Sequence, residues 1–333
     1  MEKTGLDDEY WQMMPKYLLG FRKTINNCLE FVTNEIITYS CGIYMLFNNI
    51  SKNSKNCIPL ERSENISSIF VFIEKKVIVL EERLLLENRS NLIFLDIQNA
   101  TRIKSISIQN VYPIMNFKFS HDGSRFIIQN DAQWLTYWVY DKSRLICSVN
   151  IVDNKIKPNY CVKEISFYPR SKNRILAVGV YVFVSYSVID DNFVIDWEIL
   201  HTEVYLCHSW INSKEILLGN NIGQILIFNT ETCNYESTYN LPSERYPEGL
   251  VVTEQARKVK KNHLINCQAI DDESFKNLPT VDGILSFSRG FICLVDKKKI
   301  YFYKKFDSLF NRTHLIELPV IKERENNLKL GNS

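Results

Sequence analysis

One short pattern returns along this chain at intervals of 41 to 48 residues: an alternating strand, an aromatic residue, a polar turn, then an apolar strand. The clearest copy is Phe117-Lys118-Phe119-Ser120-His121-Asp122-Gly123-Ser124-Arg125-Phe126-Ile127-Ile128. Its Asp-Gly step marks a hairpin, because glycine takes positive φ without steric cost. The same order returns in Ile165-Ser166-Phe167-Tyr168-Pro169 followed by Arg174-Ile175-Leu176-Ala177-Val178, and again from Cys207-His208-Ser209-Trp210 to Leu217-Leu218-Gly219. Weaker copies run from Ile69-Phe70-Val71-Phe72 to Leu80 and from Leu29-Glu30-Phe31 to Tyr39. Phe31 to Phe72 is 41 residues, Phe72 to Phe119 is 47, Phe119 to Phe167 is 48 and Phe167 to Trp210 is 43.

Each copy leads into a third apolar strand, most clearly Leu135-Thr136-Tyr137-Trp138-Val139-Tyr140, and then an alternating fourth such as Leu145-Ile146-Cys147-Ser148-Val149. Four strands at this period are the signature of a propeller blade. No segment after residue 25 shows helical periodicity of useful length, which argues against a helical solenoid. The last copy, Ser286-Phe287-Ser288-Arg289-Gly290-Phe291-Ile292-Cys293, is displaced, since Trp210 to Phe287 is 77 residues. The excess falls at about 240–280, a polar stretch with Pro242, Pro247 and Gly249 that reads as a long loop between blades.

The expected fold is therefore all-β, a WD40-type β-propeller of about six degenerate blades over 26–320. An N-terminal extension covers 1–25 and a polar tail 321–333. A blade cannot bury both faces alone, so each packs on its neighbours. On that logic the inner strands are covered on both sides and read as apolar runs, and the outermost strand alternates. Whether the ring closes, or is incomplete or open, is not fixed by the pattern.

Charge excludes some classes of partner. Lys plus Arg is 40 and Asp plus Glu is 38, so the net charge is +2 and no global field attracts nucleic acid or anionic membrane. The nine cysteines are scattered, mostly within apolar runs and with no C-x-x-C pair, which fits a reducing compartment better than a disulfide framework. The N-terminal residues lack the apolar core of a signal peptide, and no run is long enough to span a bilayer.

Catalytic and ligand motifs are missing. None of the five histidines (His121, His201, His208, His263, His314) stands at metal-ligand spacing from another His or Cys, so no metal is expected. His208, seven residues from His201 at a blade entry, reads as a strand-flanking histidine bonded to a neighbour. Gly219-Asn220-Asn221-Ile222-Gly223 reads as a hairpin turn and not a phosphate loop. The acid pairs Asp190-Asp191 and Asp271-Asp272 read as solvated turns, and Lys297-Lys298-Lys299 as a hairpin turn. No cofactor or small-molecule substrate is expected. The one local charge feature is Arg257, Lys258, Lys260 and Lys261, four cations within five residues that suit an acidic protein surface. A solvated loop face is the plainer account of the same run.

The blades from about 114 to 305 resemble the N-terminal propeller of the large WD-repeat proteins of cilia and flagella, of the type associated with inner dynein arms. Phe117-Lys118-Phe119-Ser120-His121-Asp122-Gly123-Ser124, Leu135 to Lys142, Val162 to Pro169, Cys207-His208-Ser209-Trp210, Phe287-Ser288-Arg289-Gly290-Phe291-Ile292-Cys293 and Ile300-Tyr301-Phe302-Tyr303-Lys304 carry the likeness. The resemblance implies a non-enzymatic scaffold in the cytoplasm, on the cytoskeleton of the ciliary or flagellar axoneme. Its partners would be axonemal dynein or doublet-microtubule-associated subunits. It supplies no catalytic residues. Relatives of this type are longer, with further blades, a second propeller and a coiled coil. A general WD40 adaptor in ciliary transport, ubiquitin ligation or trafficking is the alternative. A propeller enzyme would need His, Asp, Glu or Arg at matching blade starts, which the inner strands mostly lack.

Overall fold

The computed structural model describes residues 29–41, 44–59, 66–84, 88–98, 101–109, 112–152, 160–199, 203–241, 250–252, 278–306 and 309–318. Among these residues every named element is a β-strand, and the strands form six antiparallel sheets. The chain divides into two compact units, 1–114 and 115–333, which we take in turn.

The first unit contains two four-stranded sheets. Strands β1 to β4 are Leu29–Phe31, Ile36–Cys41, Tyr44–Asn49 and Ser54–Pro59. Strands β5 to β8 are Ile66–Phe72, Val77–Leu84, Arg89–Asp96 and Arg102–Ile108. Met45 from one sheet and Ile69, Ile78, Leu80 and Ile93 from the other share one buried cluster with Val32.

The second unit contains four sheets. β9 to β12 are Ile114–Phe119, Arg125–Asn130, Trp134–Val139 and Arg144–Asn150. β13 to β16 are Cys161–Phe167, Arg174–Val180, Val182–Ile189 and Asn192–Glu198. β17 to β21 are Tyr205–Trp210, Glu215–Asn220, Gln224–Asn229, Asn234–Asn240 and Leu250–Val252. β22 to β25 are Val281–Phe287, Gly290–Val295, Lys299–Phe306 and Leu309–Glu317. The stretch read as an inter-blade loop thus contains a short apolar strand, β21, that pairs antiparallel with β20 as a fifth strand. Its residues 242–249 and 253–277 lie outside the described ones.

Period-2 alternation explains how these sheets stack. On β14, Ile175 and Ala177 join Leu135, Tyr137 and Ile165 in one buried cluster, while Leu176 and Val178 join Tyr205, Ile216 and Phe228 in the next. On β18, Ile216 and Leu218 face back towards β14, and Leu217 packs with Val281, Phe291 and Cys293 of the following sheet. Successive side chains of a strand point to opposite faces, so a strand covered on both sides must be apolar throughout. Fully burying each such Leu, Ile or Val contributes about 1.5–3 kcal/mol.

Continuous burial belongs to the second and third strands of the two sheets that start at β13 and β17, namely β14 and β15, and β18 and β19. The first strands instead alternate: β13 carries exposed Lys163 between buried Val162 and Ile165, and β9 carries exposed Lys118 between buried Phe117 and Phe119. This agrees with the alternating first strand read from the sequence of these copies. Neighbouring sheets cover their middle strands, and the first strand keeps one row of side chains in the open.

Bulges repeat at equivalent places. The pairing of first with second strand shifts register at Ile66/Ser68, Val162/Glu164, Tyr205/Cys207 and Val281/Gly283, leaving Ser67, Lys163, Leu206 and Asp282 unpaired in the ladder. A bulge bends its strand and re-aims the side chains beside it. The turns match expectation. Asp190 and Asp191 both take positive φ, 50° and 59°, in a two-residue hairpin loop between β15 and β16. Gly123 also has positive φ, 62°. Beside it, Asp122 accepts from the Ser120 hydroxyl at 2.7 Å and from the Ser124 N–H at 3.0 Å. The Ser120 bond outweighs burial, which opposes it, and with the Ser124 bonds holds the Asp122 carboxyl well below the usual carboxylate range.

Close approach of adjacent sheets yields a direct test. A Cβ on Gly219 would stand 2.5 Å from Val281 Cγ1 and 2.7 Å from Cys207 Sγ, whereas one on Gly283 would meet only Leu294 Cβ, at 3.9 Å. Gly219→Ala should lower stability by about 1–3 kcal/mol in thermal or urea unfolding, the usual cost of overpacking, and Gly283→Ala should leave the midpoint close to wild type.

Candidate functional site

Polar side chains on the first strands of the second unit join neighbouring sheets to one another. Asn116 on β9 donates to Gln129 Oε1 at 2.6 Å and to the Lys163 carbonyl at 3.1 Å. Gln133 accepts from the Val162 N–H at 2.7 Å. Glu164 on β13 accepts from the His208 backbone N–H at 2.8 Å. Ser166 Oγ lies 2.7 Å from His208 Nε2 and accepts from the Trp210 indole N–H at 2.9 Å. On β17 and β22, Ser209 donates to Ser286 Oγ at 2.9 Å, and Ser286 also bonds the Trp210 carbonyl.

The densest part is Glu164–His208–Ser166–Trp210. The bulge at Lys163 sits directly before Glu164, so the register shift decides where this carboxylate points. His208 Nδ1 lies 3.0 Å from Glu164 Oε2, an ion-pair distance, but off the line of a hydrogen bond. Burial pushes the Glu164 carboxyl up, while hydrogen bonds and charge from His208, with Lys118 nearby, bring it below its ordinary 4.5 overall.

Carboxylate, imidazole and serine in this order are also the parts of a hydrolytic triad. The surroundings here are different. The His208 side chain is 4% exposed and held between Glu164 and Ser166. The Ser166 oxygen that would attack is already held by the Trp210 N–H. The group acts as a lock between β13 and β17. His208 is thus a strand histidine bonded to its neighbours, as the sequence suggests, but it lies within β17 and not beside it.

The open row of the first strands carries Lys118 and Lys163, with Glu164 38% exposed at its side chain, and Leu285 and Phe287 of β22 are also exposed. Arg257, Lys258, Lys260 and Lys261 lie outside the described residues, as do His201, His263, Asp271 and Asp272. His121 is exposed in its turn and His314 on β25. Among the described residues no group of three or more His, Cys, Asp or Glu is placed to hold a metal ion, and no helix is long and apolar enough to cross a membrane.

Solved structures with the same arrangement decide the architecture. A chain of the mitotic checkpoint complex superposes with a TM-score of 0.59 over 95% of this chain and 86% of its own, at 10% identity. The WD40 repeats of RRP9 give 0.59 over 90% and 83% at 9% identity, and U3-55K gives 0.57 over 90% and 84% at 8%. The fold is a six-bladed WD40 β-propeller. No protein-family profile matches the chain. Among curated proteins, cilia- and flagella-associated protein 57 of Mus musculus is 16% identical over 321 aligned positions, covering 91% of this chain. The chain spans 25% of the length of that protein. The comparison supports a distant relation to a cilia- and flagella-associated WD-repeat protein.

Two tests follow from the lock. Ser166→Ala strands the Trp210 N–H and His208 Nε2 without their partner, so it should cost about 1–3 kcal/mol in urea unfolding, with Ser166→Thr recovering most of the loss. Glu164 has a lower pKa folded than unfolded, so its stabilisation is full above the ordinary carboxylate range and is lost as pH falls through and below it. The stability difference between wild type and Glu164→Gln should therefore shrink from pH 6 towards pH 3.

Proposed function

We propose that this chain is a non-catalytic WD40 scaffold of the ciliary or flagellar axoneme, binding inner-dynein-arm or regulatory subunits through its blades. The observation that carries the reading is the alignment with a cilia- and flagella-associated protein over 91% of the chain. The fold supports it. Propellers present broad, rigid surfaces for protein contact, and the carboxylate–imidazole–serine group joins two sheets, with His208 buried and Ser166 bonded to the Trp210 N–H. Localisation to the axoneme and partners among dynein or doublet-microtubule-associated subunits belong to this proposal. So does electrostatic contact of Arg257, Lys258, Lys260 and Lys261 with an acidic partner.

A general adaptor role is the second reading, favoured by fold neighbours in the mitotic checkpoint complex, an assembly whose name carries no ciliary reference. Proximity labelling from the tagged chain in motile cilia or sperm tails separates the two. The axonemal reading expects enrichment of dynein-arm and doublet-microtubule subunits. Enrichment of soluble degradation or trafficking machinery, with axonemal subunits at background, would overturn it.

A further inference from the structure

The 1–114 unit has a groove of about 310 Å³ between its two sheets. Its floor is apolar: Ile36 and Phe47 of the first sheet and Ile97 of the second, each partly buried against the core. Its rim is polar and positive, with Lys52 in the β3–β4 turn, Lys55 on β4 and Gln98 in the β7–β8 turn. Local hydrogen bonds fix both rims. The Lys52 N–H donates to Asn49 Oδ1 at 2.8 Å, the Gln98 N–H to Asp96 Oδ1 at 2.9 Å, and the Ile97 N–H to the Lys76 carbonyl at 2.9 Å.

Charge decides what fits. Lys52 and Lys55 are exposed, and neither makes an ion pair among the described residues. Among the described residues no carboxylate lines the groove; Glu35 and Glu74 belong to neighbouring turns, outside the lining. The volume stands at the lower end of the ~300–1,000 Å³ of small-molecule sites, so it accepts one or two side chains of a segment that continues across the surface. A bare anion would leave the apolar floor wet, and a purely apolar segment would leave both lysines unanswered.

We propose that this groove binds a short linear segment of a partner protein in which an aromatic or aliphatic side chain is flanked by Asp or Glu. The apolar residue covers Ile36, Phe47 and Ile97, and the flanking carboxylates meet Lys52 and Lys55. The site rests on the protein-binding part of the reading above and not on its ciliary part.

The test uses the full chain and the fluorescein-labelled peptide Gly-Ser-Glu-Phe-Glu-Leu-Glu-Gly-Ser, followed by fluorescence anisotropy at low salt. Saturable binding is expected, weakened about tenfold by Lys52→Glu with Lys55→Glu, since two attractive exposed pairs become repulsive. Binding should also weaken as salt screens these exposed charges. The control variant Lys142→Glu with Lys172→Glu, exposed turn residues of the other unit, should bind as wild type does. Peptides with every Glu changed to Lys, or with Phe and Leu changed to Ser, should fail to bind. Equal binding by the Lys52→Glu, Lys55→Glu variant at an unchanged thermal midpoint would overturn the proposal. Equal binding of the serine-substituted peptide, or no saturation with wild type, would overturn it as well. If wild type fails to bind the peptide but still labels axonemal subunits in cells, this site fails while the scaffold reading stands. Peptide binding without axonemal labelling leaves the site and removes the ciliary role.

Discussion

Everything in this chain depends on sheets burying each other's middle strands. A four-stranded sheet with apolar side chains on both faces is insoluble alone. In the 115–333 unit the conflict is resolved strand by strand. β14 gives Ile175 and Ala177 to one neighbour and Leu176 and Val178 to the other, and β18 repeats this with Ile216, Leu217 and Leu218. One-residue slips would exchange the two clusters, so register is strongly specified. The bulges at Lys163, Leu206 and Asp282 recur at the same place in successive sheets, as this requirement demands.

Apolar stacking does not choose which point along one first strand meets the next; the polar staples do. Glu164 to the His208 N–H, Ser166 to Trp210, and Ser209 to Ser286 each join neighbouring sheets at a single site. Misplacement would strand partly buried donors and acceptors, which is costly. The rigid frame so formed leaves the remaining first-strand side chains, Lys118, Lys163, Leu285 and Phe287, free to present a surface instead of supporting the core. A scaffold needs this division of labour: stability in the middle strands, recognition on strands and turns that pack less.

Much of the fold was legible in the sequence because its signal is periodic. The Asp-Gly turn, the Asp190-Asp191 turn and the six strand–turn–strand copies that open the sheets lie where alternation and turn chemistry put them. β21 was obscured because three residues between two prolines and a basic run carry too little period to register. The staples went unseen for a different reason. Glu164 and His208 are 44 residues apart, as are Ser166 and Trp210, while Ser209 and Ser286 are 77 apart. Those separations lie within one residue of the repeat spacings 43 and 77 from Phe167 to Trp210 and from Trp210 to Phe287. In a blade array, polar residues one period apart on first strands are candidate neighbours, and this was the available signal. The groove between the first two sheets had no such signal, since Lys52 and Ile97 come from turns and Lys55 from a strand, at no common place in the repeat.

Strand-resolved hydrogen exchange on the intact chain tests the central claim most directly, because protection reports local opening in cooperative units. Mutual burial of the middle strands predicts the slowest exchange at β14, β15, β18 and β19. The half-exposed fourth strands β12 and β16 should exchange well ahead of them. Amides of β12 and β16 protected as strongly as those of β14 and β18 would contradict it, because the sheets would then not owe their stability to covering one another's middle strands.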